Sequence, residues 1–558
     1  MSTDALIPVV QQWPDDFAKR YREAGYWRGE TFGAMLRERA AKYANRIALV
    51  DDKTRWTYAE LDARADAVAA GLLAAGLKKG DRVVVHLPNI AEFYEVVFGL
   101  FRAGILPVYC LLAHRITEVE NAAAVSQAAG YIMAGRRDDF DFNGLARELQ
   151  SRLPAVKHVI TVEPREQADP AFTALDDLKA DGKGQPLPDD HAPTLPSDAA
   201  FLQLSGGSTG LSKLIPRTHD DYIYSVRESA NICGLHEDSV YLVALPAAHN
   251  FPMSSPGALG AFYAGARVVL SQSPSPEHVF AVIERERVTM TGLVPPLLLV
   301  WLQAAAGKPS HDISSLEVIQ VGGAKLTPEI ARRVKPVLGV KLQQVFGMAE
   351  GLVNYTRLDD PDDIVINTQG RPISPDDEVL VVDDQGNPVP EGEPGNLLTR
   401  GPYTIRAYHN NPSANARSFT EDGFYRTGDI VRRSPEGYLT VQGRANDHIN
   451  RAGEKISAEE IEDHLLAHPQ VFDAAVVSIP DEYLGERSCA FIIPNGEKPK
   501  AMEIKRWIRS RGLAEFKVPD QVVFVEQFSE TAVGKISRKE LRAKLSAQLQ
   551  AASNGEQQ

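Results

Sequence analysis

Short β-branched runs alternate with amphipathic helical patterns along most of this chain, and that alternation is the strongest constraint on its architecture. Phe32, Met35, Leu36 and Ala40 recur at helical spacing, and Ile47–Val50 begins an extended run. Trp56-Thr57-Tyr58 leads into a second helical pattern, Ala59 to Ala75, closed by Gly76. Lys79-Gly80-Asp81 is turn chemistry ahead of the run Arg82–Leu87. Ala91–Ala103 is helical and Ile105–Val108 extended; later, Ala264–Leu270, Val288–Leu293 and Leu316–Val321 read as short buried strands between helices. Parallel strands need a crossover between them, usually a helix, so the pattern predicts α/β layers with largely parallel sheets.

Three stretches depart from that rhythm. Residues 163–198 are polar and rich in proline, which reads as a surface connection. Residues 376–441 hold short strands separated by DDQGNP, PEGEPG and SPEGY turns, the spacing of an antiparallel β subdomain. From about Gly443–Ile449 onward the pattern becomes a compact α+β tail. There Ser457 and Glu460 form a capping-box pair ahead of Ile461, Leu465 and Leu466, Pro469 stops that helix, and Ala474–Ile479 is a strand.

Sixty Lys+Arg against 74 Asp+Glu give a formal charge of −14, which opposes a general nucleic-acid binder but permits an anionic ligand in one locally basic cleft. Cys110, Cys233 and Cys489 lie far apart, without metal-ligand spacing, and fit reduced thiols in a cytoplasmic protein. The N-terminus shows no signal peptide pattern, and no apolar run reaches the ~18 residues of a membrane span.

The strongest local signal is Ser205-Gly206-Gly207-Ser208-Thr209-Gly210-Leu211-Ser212-Lys213, after the strand-like Ala199–Leu204. Glycines let backbone N–H groups turn inward, hydroxyls add donors and the lysine adds charge, a combination suited to a polyphosphate. A plain Ser/Gly turn would not need the lysine. The string is not a Walker loop, because no Gly precedes Lys213. It does contain G-x-S-x-G, so a serine hydrolase is an alternative; yet Leu214-Ile215-Pro216 follows, extended, where a nucleophile elbow needs a helix. Four further clusters stand out: Val345-Phe346-Gly347-Met348-Ala349-Glu350, Tyr425-Arg426-Thr427-Gly428-Asp429, Gly443-Arg444-Ala445-Asn446-Asp447 with Arg451–Lys455, and Gly534-Lys535 in a turn. Taken singly, Glu350 in its Gly-flanked loop is weak evidence. Asp429, after a Gly turn, is placed to accept two hydrogen bonds from a ribose diol.

In this order and spacing the set resembles the adenylate-forming superfamily of acyl-CoA synthetases, luciferases and peptide-synthetase adenylation domains, over roughly residues 30–545. The strings Leu214–Tyr222, His249-Asn250-Phe251-Pro252 and Val345–Thr356 narrow the likeness to stand-alone aryl acid–AMP ligases of siderophore biosynthesis, of the 2,3-dihydroxybenzoate type. Ser212-Lys213-Leu214 lacks the glycine that general acyl-CoA synthetases carry after the lysine. The resemblance implies an α/β fold: an N-terminal domain over 1–445 with two parallel-type sheets and a small β-barrel-like subdomain, a mobile α+β C-terminal domain over 446–545, and a frayed tail over 546–558.

It also implies two half-reactions using ATP and Mg²⁺: an aromatic acid becomes aryl-AMP with release of pyrophosphate, then passes to a phosphopantetheine thiol. By the same resemblance Ser205–Lys213 holds the β- and γ-phosphates, Glu350 helps bind Mg²⁺, and Asp429 binds ribose with Arg444 nearby. Gly322-Gly323-Ala324 lines the adenine side, and Val345, Phe346, Gly347 and Met348 join the nucleotide site. Asn250, Phe251, Ser255, Gly323 and Val353 line the aryl pocket. His249 closes the site between the two halves; Lys535 reaches the carboxylate and α-phosphate. Asn446 is the hinge, and Gly453 lines the pantetheine tunnel. Pro252 favours an extended backbone at Phe251. The chain ends soon after Lys535, so a separate aryl carrier protein is the expected acceptor, with coenzyme A and a salicylate substrate as alternatives; no membrane or nucleic acid is involved.

Overall fold

The computed structural model describes residues 6, 8–137, 140–185, 187, 191–205, 212–307, 310–444, 448–451, 454–481, 484–511, 513, 515–528, 536–538, 540–543 and 545. Among them two large sheets carry the N-terminal part. The first has nine strands. Its centre runs parallel through Ile47–Val50, Arg267–Leu270, Val240–Val243, Met290–Leu293, Val318–Gly322 and Lys341–Met348, and its ends are antiparallel. The second has seven strands and is parallel apart from its edge strand Leu214–Thr218. Its central strand Arg82–His86 is buried at every position, as a strand covered on both faces must be.

The helices follow from local chemistry. Phe32–Tyr43 buries Phe32, Met35, Leu36 and Ala40 on one face, and Thr31 accepts the Ala34 N–H at its start. Tyr58–Ala74 opens on a capping box between Thr57 and Glu60. Ala91–Ala103 is buried almost all round, between the sheets, and ends on Gly104 in the left-handed region.

The stretch 163–198 is more than a surface connection. It contains a short strand and the helix Leu175–Gly182, whose Leu175 and Leu178 are buried. A Cβ on Gly71 would sit 2.1 Å from the Leu178 carbonyl oxygen, and one on Gly182 2.1 Å from that of Ala67. Two glycines thus let this helix lie directly on Tyr58–Ala74, a packing that proline content conceals.

Strands Glu378–Val382, Gly395–Arg400, Tyr425–Arg433 and Leu439–Arg444 form an antiparallel four-stranded sheet. After it comes a five-stranded sheet with helices Ala458–Leu466 and Ala501–Ser510. This unit has its own core, built from Ile449, Ile456, Ile461, Leu465, Val476, Ile492, Ile504 and Ile508. It touches the larger part through Leu466 and Phe472, which pack against the core of the nine-stranded sheet. Ser457 also donates to the Gln442 carbonyl at 2.9 Å.

Candidate functional site

Strands Ala199–Leu204 and Leu214–Thr218 pair antiparallel, with Leu204 opposite Leu214. Two bonds link the described residues on either side of the glycine-rich segment. Ser205 N donates to the Lys213 carbonyl at 2.9 Å, and Lys213 N donates to Ser205 Oγ at 2.9 Å. Gly206, Gly207, Ser208, Thr209 and Gly210 lie outside the described residues. Leu214–Thr218 is a strand, so the strand–turn–helix geometry of a hydrolase elbow is not formed among the described residues.

Lys213 Nζ stands 4.7 Å from the Tyr408 ring centroid. The Tyr408 hydroxyl donates to Glu350 Oε1 at 2.7 Å and lies 3.1 Å from the Tyr425 hydroxyl. Burial, reinforced by the Glu350 carboxylate, pushes the Tyr408 phenol far up, so it stays protonated as a donor. Glu350 sits in the turn between strands Lys341–Met348 and Gly351–Tyr355, and is itself buried. That turn is tied down by Arg217, which pairs with Asp221 at 2.6 Å while donating to the Ala349 and Tyr403 carbonyls. Lysine, tyrosine and carboxylate thus come together from three separate segments.

On the antiparallel sheet Asp429 lies opposite Arg444, and Arg444 Nε is 2.8 Å from Asp429 Oδ1. The carboxylate is buried and the guanidinium mostly exposed. Arg444 also lowers the Tyr425 phenol against the dominant effect of burial, which places this pair on the flank of the Glu350 cluster.

Gly322 and Val345 are register partners near the C-terminal ends of adjacent parallel strands, where open α/β sheets hold ligands. Gly323 has φ +81°; with Ala324 it is exposed. Phe346, Gly347 and Met348 continue the Val345 strand, and Val353 pairs with Gly347.

The expectation of an extended Phe251 is not met: Asn250–Ser254 is a short helix. Proline is tolerated there because the first helical turn has no internal acceptor for its missing N–H. His249 caps this helix, its Nδ1 accepting the Phe251 N–H at 3.3 Å. The Tyr222 hydroxyl donates to Asn250 Oδ1 at 2.7 Å, fixing the side chain. The Phe251 ring tip lies 3.3 Å from where a Cβ would stand on either Gly292 or Gly322. Neither glycine is in the positive-φ region, so each serves by leaving space. Ser255 is buried next to this helix and beside Tyr355, whose phenol burial pushes far up while the Ser229 and Ser255 hydroxyls act in the opposite direction.

Asn446, Gly453 and Lys535 lie outside the described residues. Among the described residues no three His, Cys, Asp or Glu side chains cluster as metal ligands. A lone buried Glu350 still fits Mg²⁺, which is commonly held by one carboxylate together with substrate phosphates. Tyr222, Tyr408, Tyr425 and Arg217 carry much of the local geometry and did not stand out as site residues. Arg217 and Tyr222 were signalled only by lying within the motif Leu214–Tyr222, and Tyr425 by opening the cluster that ends at Asp429; Tyr408 had no signal. A cavity of about 1190 Å³ opens near Ala34, Ala67, Phe101 and Leu187 and holds none of these residues.

Residues 36–409 match the family described as AMP-binding enzyme, and residues 460–535 its C-terminal domain. The chain is 58% identical to a 2,3-dihydroxybenzoate-AMP ligase of Bacillus subtilis, covering 98% of this chain and 99% of that one. It is 50% identical to the vibriobactin-specific 2,3-dihydroxybenzoate-AMP ligase of Vibrio cholerae, covering 95% and 96%. Among solved structures, the apo MbtA of Mycobacterium smegmatis is 46% identical with a TM-score of 0.73, covering 96% of this chain and 98% of that one.

Proposed function

Because this chain belongs to the AMP-binding enzyme family, we propose that it is a ligase activating an aromatic carboxylic acid, 2,3-dihydroxybenzoate, in siderophore biosynthesis. A carboxylate oxygen attacks the α-phosphorus of ATP, and pyrophosphate leaves. The phosphopantetheine thiol of an aryl carrier protein then attacks the aryl carbonyl carbon, and AMP leaves with the former carboxylate oxygen. The observation that carries this reading is the convergence of Lys213 and Glu350 on Tyr408, beside the Asp429–Arg444 pair.

The pentavalent transition state spreads negative charge over phosphate oxygens, so positioned cations and N–H donors supply most of the stabilisation. In this reading Ser205–Gly210 and Lys213 hold the β- and γ-phosphates, and Asp429 binds the ribose diol with Arg444 beside it. Gly322, Gly323, Ala324 and Val345–Met348 flank the base. Glu350 would hold Mg²⁺, which when bound neutralises phosphate charge. Lys535 contacts the carboxylate and α-phosphate. Asn250, Phe251, Ser255, Gly323 and Val353 enclose the ring. His249 closes the site and needs no base role, since the substrate is already a carboxylate. Domains over 1–445 and 446–545, hinged at Asn446, would present Lys535 and the Gly453 tunnel in turn. Burial of all three free thiols and the lack, among described residues, of a helix long and apolar enough to cross a membrane accord with a cytoplasmic site.

Acid-dependent ATP–pyrophosphate exchange across a panel of aromatic acids tests this. We expect exchange with 2,3-dihydroxybenzoate at the highest kcat/KM, with salicylate accepted less well. Exchange driven by no aromatic acid overturns the reading; equal or better use of salicylate overturns the choice of acid. Parallel acceptor assays separate a carrier thiol from coenzyme A.

A further inference from the structure

Beneath the Phe251 ring, one face of the nine-stranded sheet carries an unusual run of polar side chains. Tyr241, Gln320 and Tyr355 come from strands Val240–Val243, Val318–Gly322 and Gly351–Tyr355, and all three are fully buried. Ser229 and Cys233, at the end of helix His219–Ile232, close over them. The Tyr241 hydroxyl lies 3.1 Å from where a Cβ on Gly292 would be, and the Phe251 tip 3.3 Å from the same point. The missing side chain of Gly292 therefore keeps clear the gap between phenol and ring.

Among the described residues, Tyr241 Oη, Tyr355 Oη, Ser229 Oγ and Gln320 Oε1 are enclosed and make no hydrogen bond of good geometry, although Ser229 and Ser255 stand beside the Tyr355 hydroxyl and the Gly257 backbone beside that of Tyr241. Unpaired buried polar groups are rare, because each keeps the full cost of leaving water. Several gathered at one place point to something that completes them. Gln320 Nε2 is already committed, to Cys233 Sγ and Gln343 Oε1 at 3.0 Å each, so the side chain cannot simply swing away. Burial raises both phenols far above their ordinary range, so both remain donors throughout the working pH range. Ser255 is the link: its hydroxyl neighbours Tyr355 on one side and the Phe251 helix on the other.

Resting on the aryl-acid reading above, we propose that the ring pocket continues past Ser255 into a polar chamber walled by Ser229, Tyr241, Gln320 and Tyr355. The Tyr241 and Tyr355 hydroxyls read a hydroxyl on the ring edge remote from the carboxylate, directly or through a water relayed by Ser255. They are specificity-determining residues: a ring bearing that hydroxyl completes the chamber, and a ring lacking it leaves the donors unpaired. A phenol is the right reader, because it both donates and accepts and its hydroxyl can be removed without changing ring volume.

The test compares the wild-type chain with Tyr355→Phe and Tyr241→Phe. Pyrophosphate exchange gives the ratio of kcat/KM for 2,3-dihydroxybenzoate over salicylate, and direct titration gives the ratio of the two dissociation constants. Thermal unfolding of each variant is measured without acid. We expect at least one variant to lower both ratios by about tenfold, the scale of one lost hydrogen bond. The contrary result is unchanged ratios in both variants with raised melting temperatures, the behaviour of unpaired hydroxyls in a dry core. If the wild-type chain exchanges with no aromatic acid at all, it is the functional reading that fails. If it exchanges with both acids and the ratios do not move, only the chamber fails.

Discussion

Arg217 and Asp221 illustrate how single residues hold this site. Both side chains are almost wholly enclosed, and Arg217, on strand Leu214–Thr218, ties the Ala349 and Tyr403 carbonyls to Asp221 in the first turn of helix His219–Ile232. Removing one partner of a buried pair leaves the other charge uncompensated. Asp221→Ala should therefore lose about 3 kcal/mol of stability in denaturant unfolding, and an unchanged midpoint would contradict that role. A second prediction concerns Ser255. A hydroxyl donates well where a thiol donates weakly, so Ser255→Cys should shift preference from 2,3-dihydroxybenzoate toward salicylate by about fivefold to tenfold. An unchanged ratio would remove Ser255 from substrate choice. Residues of this kind were legible in sequence only where a motif framed them. Lys213 followed a glycine-rich run and Asp429 a glycine, and both could be singled out, whereas Glu350 gained weight only when the clusters were read together. Tyr408 could not be singled out, because an isolated tyrosine carries no local signal, and although Tyr425 opens the Asp429 cluster, the meeting of both with Glu350 depends on chain segments far apart.

Element boundaries were more legible, since they rest on caps and periodicity. The helix Ala91–Ala103 and the Ser457 cap, which accepts the Glu460 N–H, follow from local chemistry alone. Two elements escaped. Pro252 suggested extension, but in the first turn of a helix it costs no hydrogen bond. Leu175–Gly182 hid in a polar stretch because its stability comes from close packing on Gly71, which no local pattern reports. The helix Ala458–Leu466 yields a pH prediction. Glu459 and Asp463 lie at its contact with Lys325, whose Nζ is 3.7 Å from Asp463 Oδ2, while Arg538 pairs with Glu462 and Lys517 with Glu460. Burial, only partly offset by Lys325, raises the carboxyls to about 7 and about 6 respectively. Such groups hold their protons in the docked arrangement. Docking is thus unpenalised below the ordinary carboxylate pKa and weakens as pH climbs toward 7, after which the penalty levels off. Glu459→Gln should melt on the order of 2 °C higher than wild type at pH 8 and show little gain at pH 5. Parallel melting curves across that range would contradict the linkage.

At the scale of the whole molecule, the C-terminal unit has its own core and meets the rest through Leu466, Phe472 and the Lys325–Asp463 pair; the proposed function has it rotate between half-reactions. Lys535→Ala should slow adenylation by about 3 kcal/mol, the scale of one lost transition-state contact, and spare transfer from preformed aryl-AMP. Gly453→Leu should do the reverse. Asn446→Pro should permit adenylation and block thioester formation, because a fixed φ prevents rotation. Equal impairment of both steps by Lys535→Ala and by Gly453→Leu would contradict alternation. The overall α/β plan was readable from the strand–helix rhythm, whereas the meeting of remote segments in one site was not, since it depends on sheet order. The central claim, attack of an aryl carboxylate on the α-phosphorus, is tested most directly with 2,3-dihydroxybenzoate labelled with ¹⁸O in its carboxyl group, ATP and a thiol acceptor. The account predicts one labelled oxygen in the released AMP and none in pyrophosphate. Label in a released phosphate other than AMP, or unlabelled AMP alongside thioester, would contradict it.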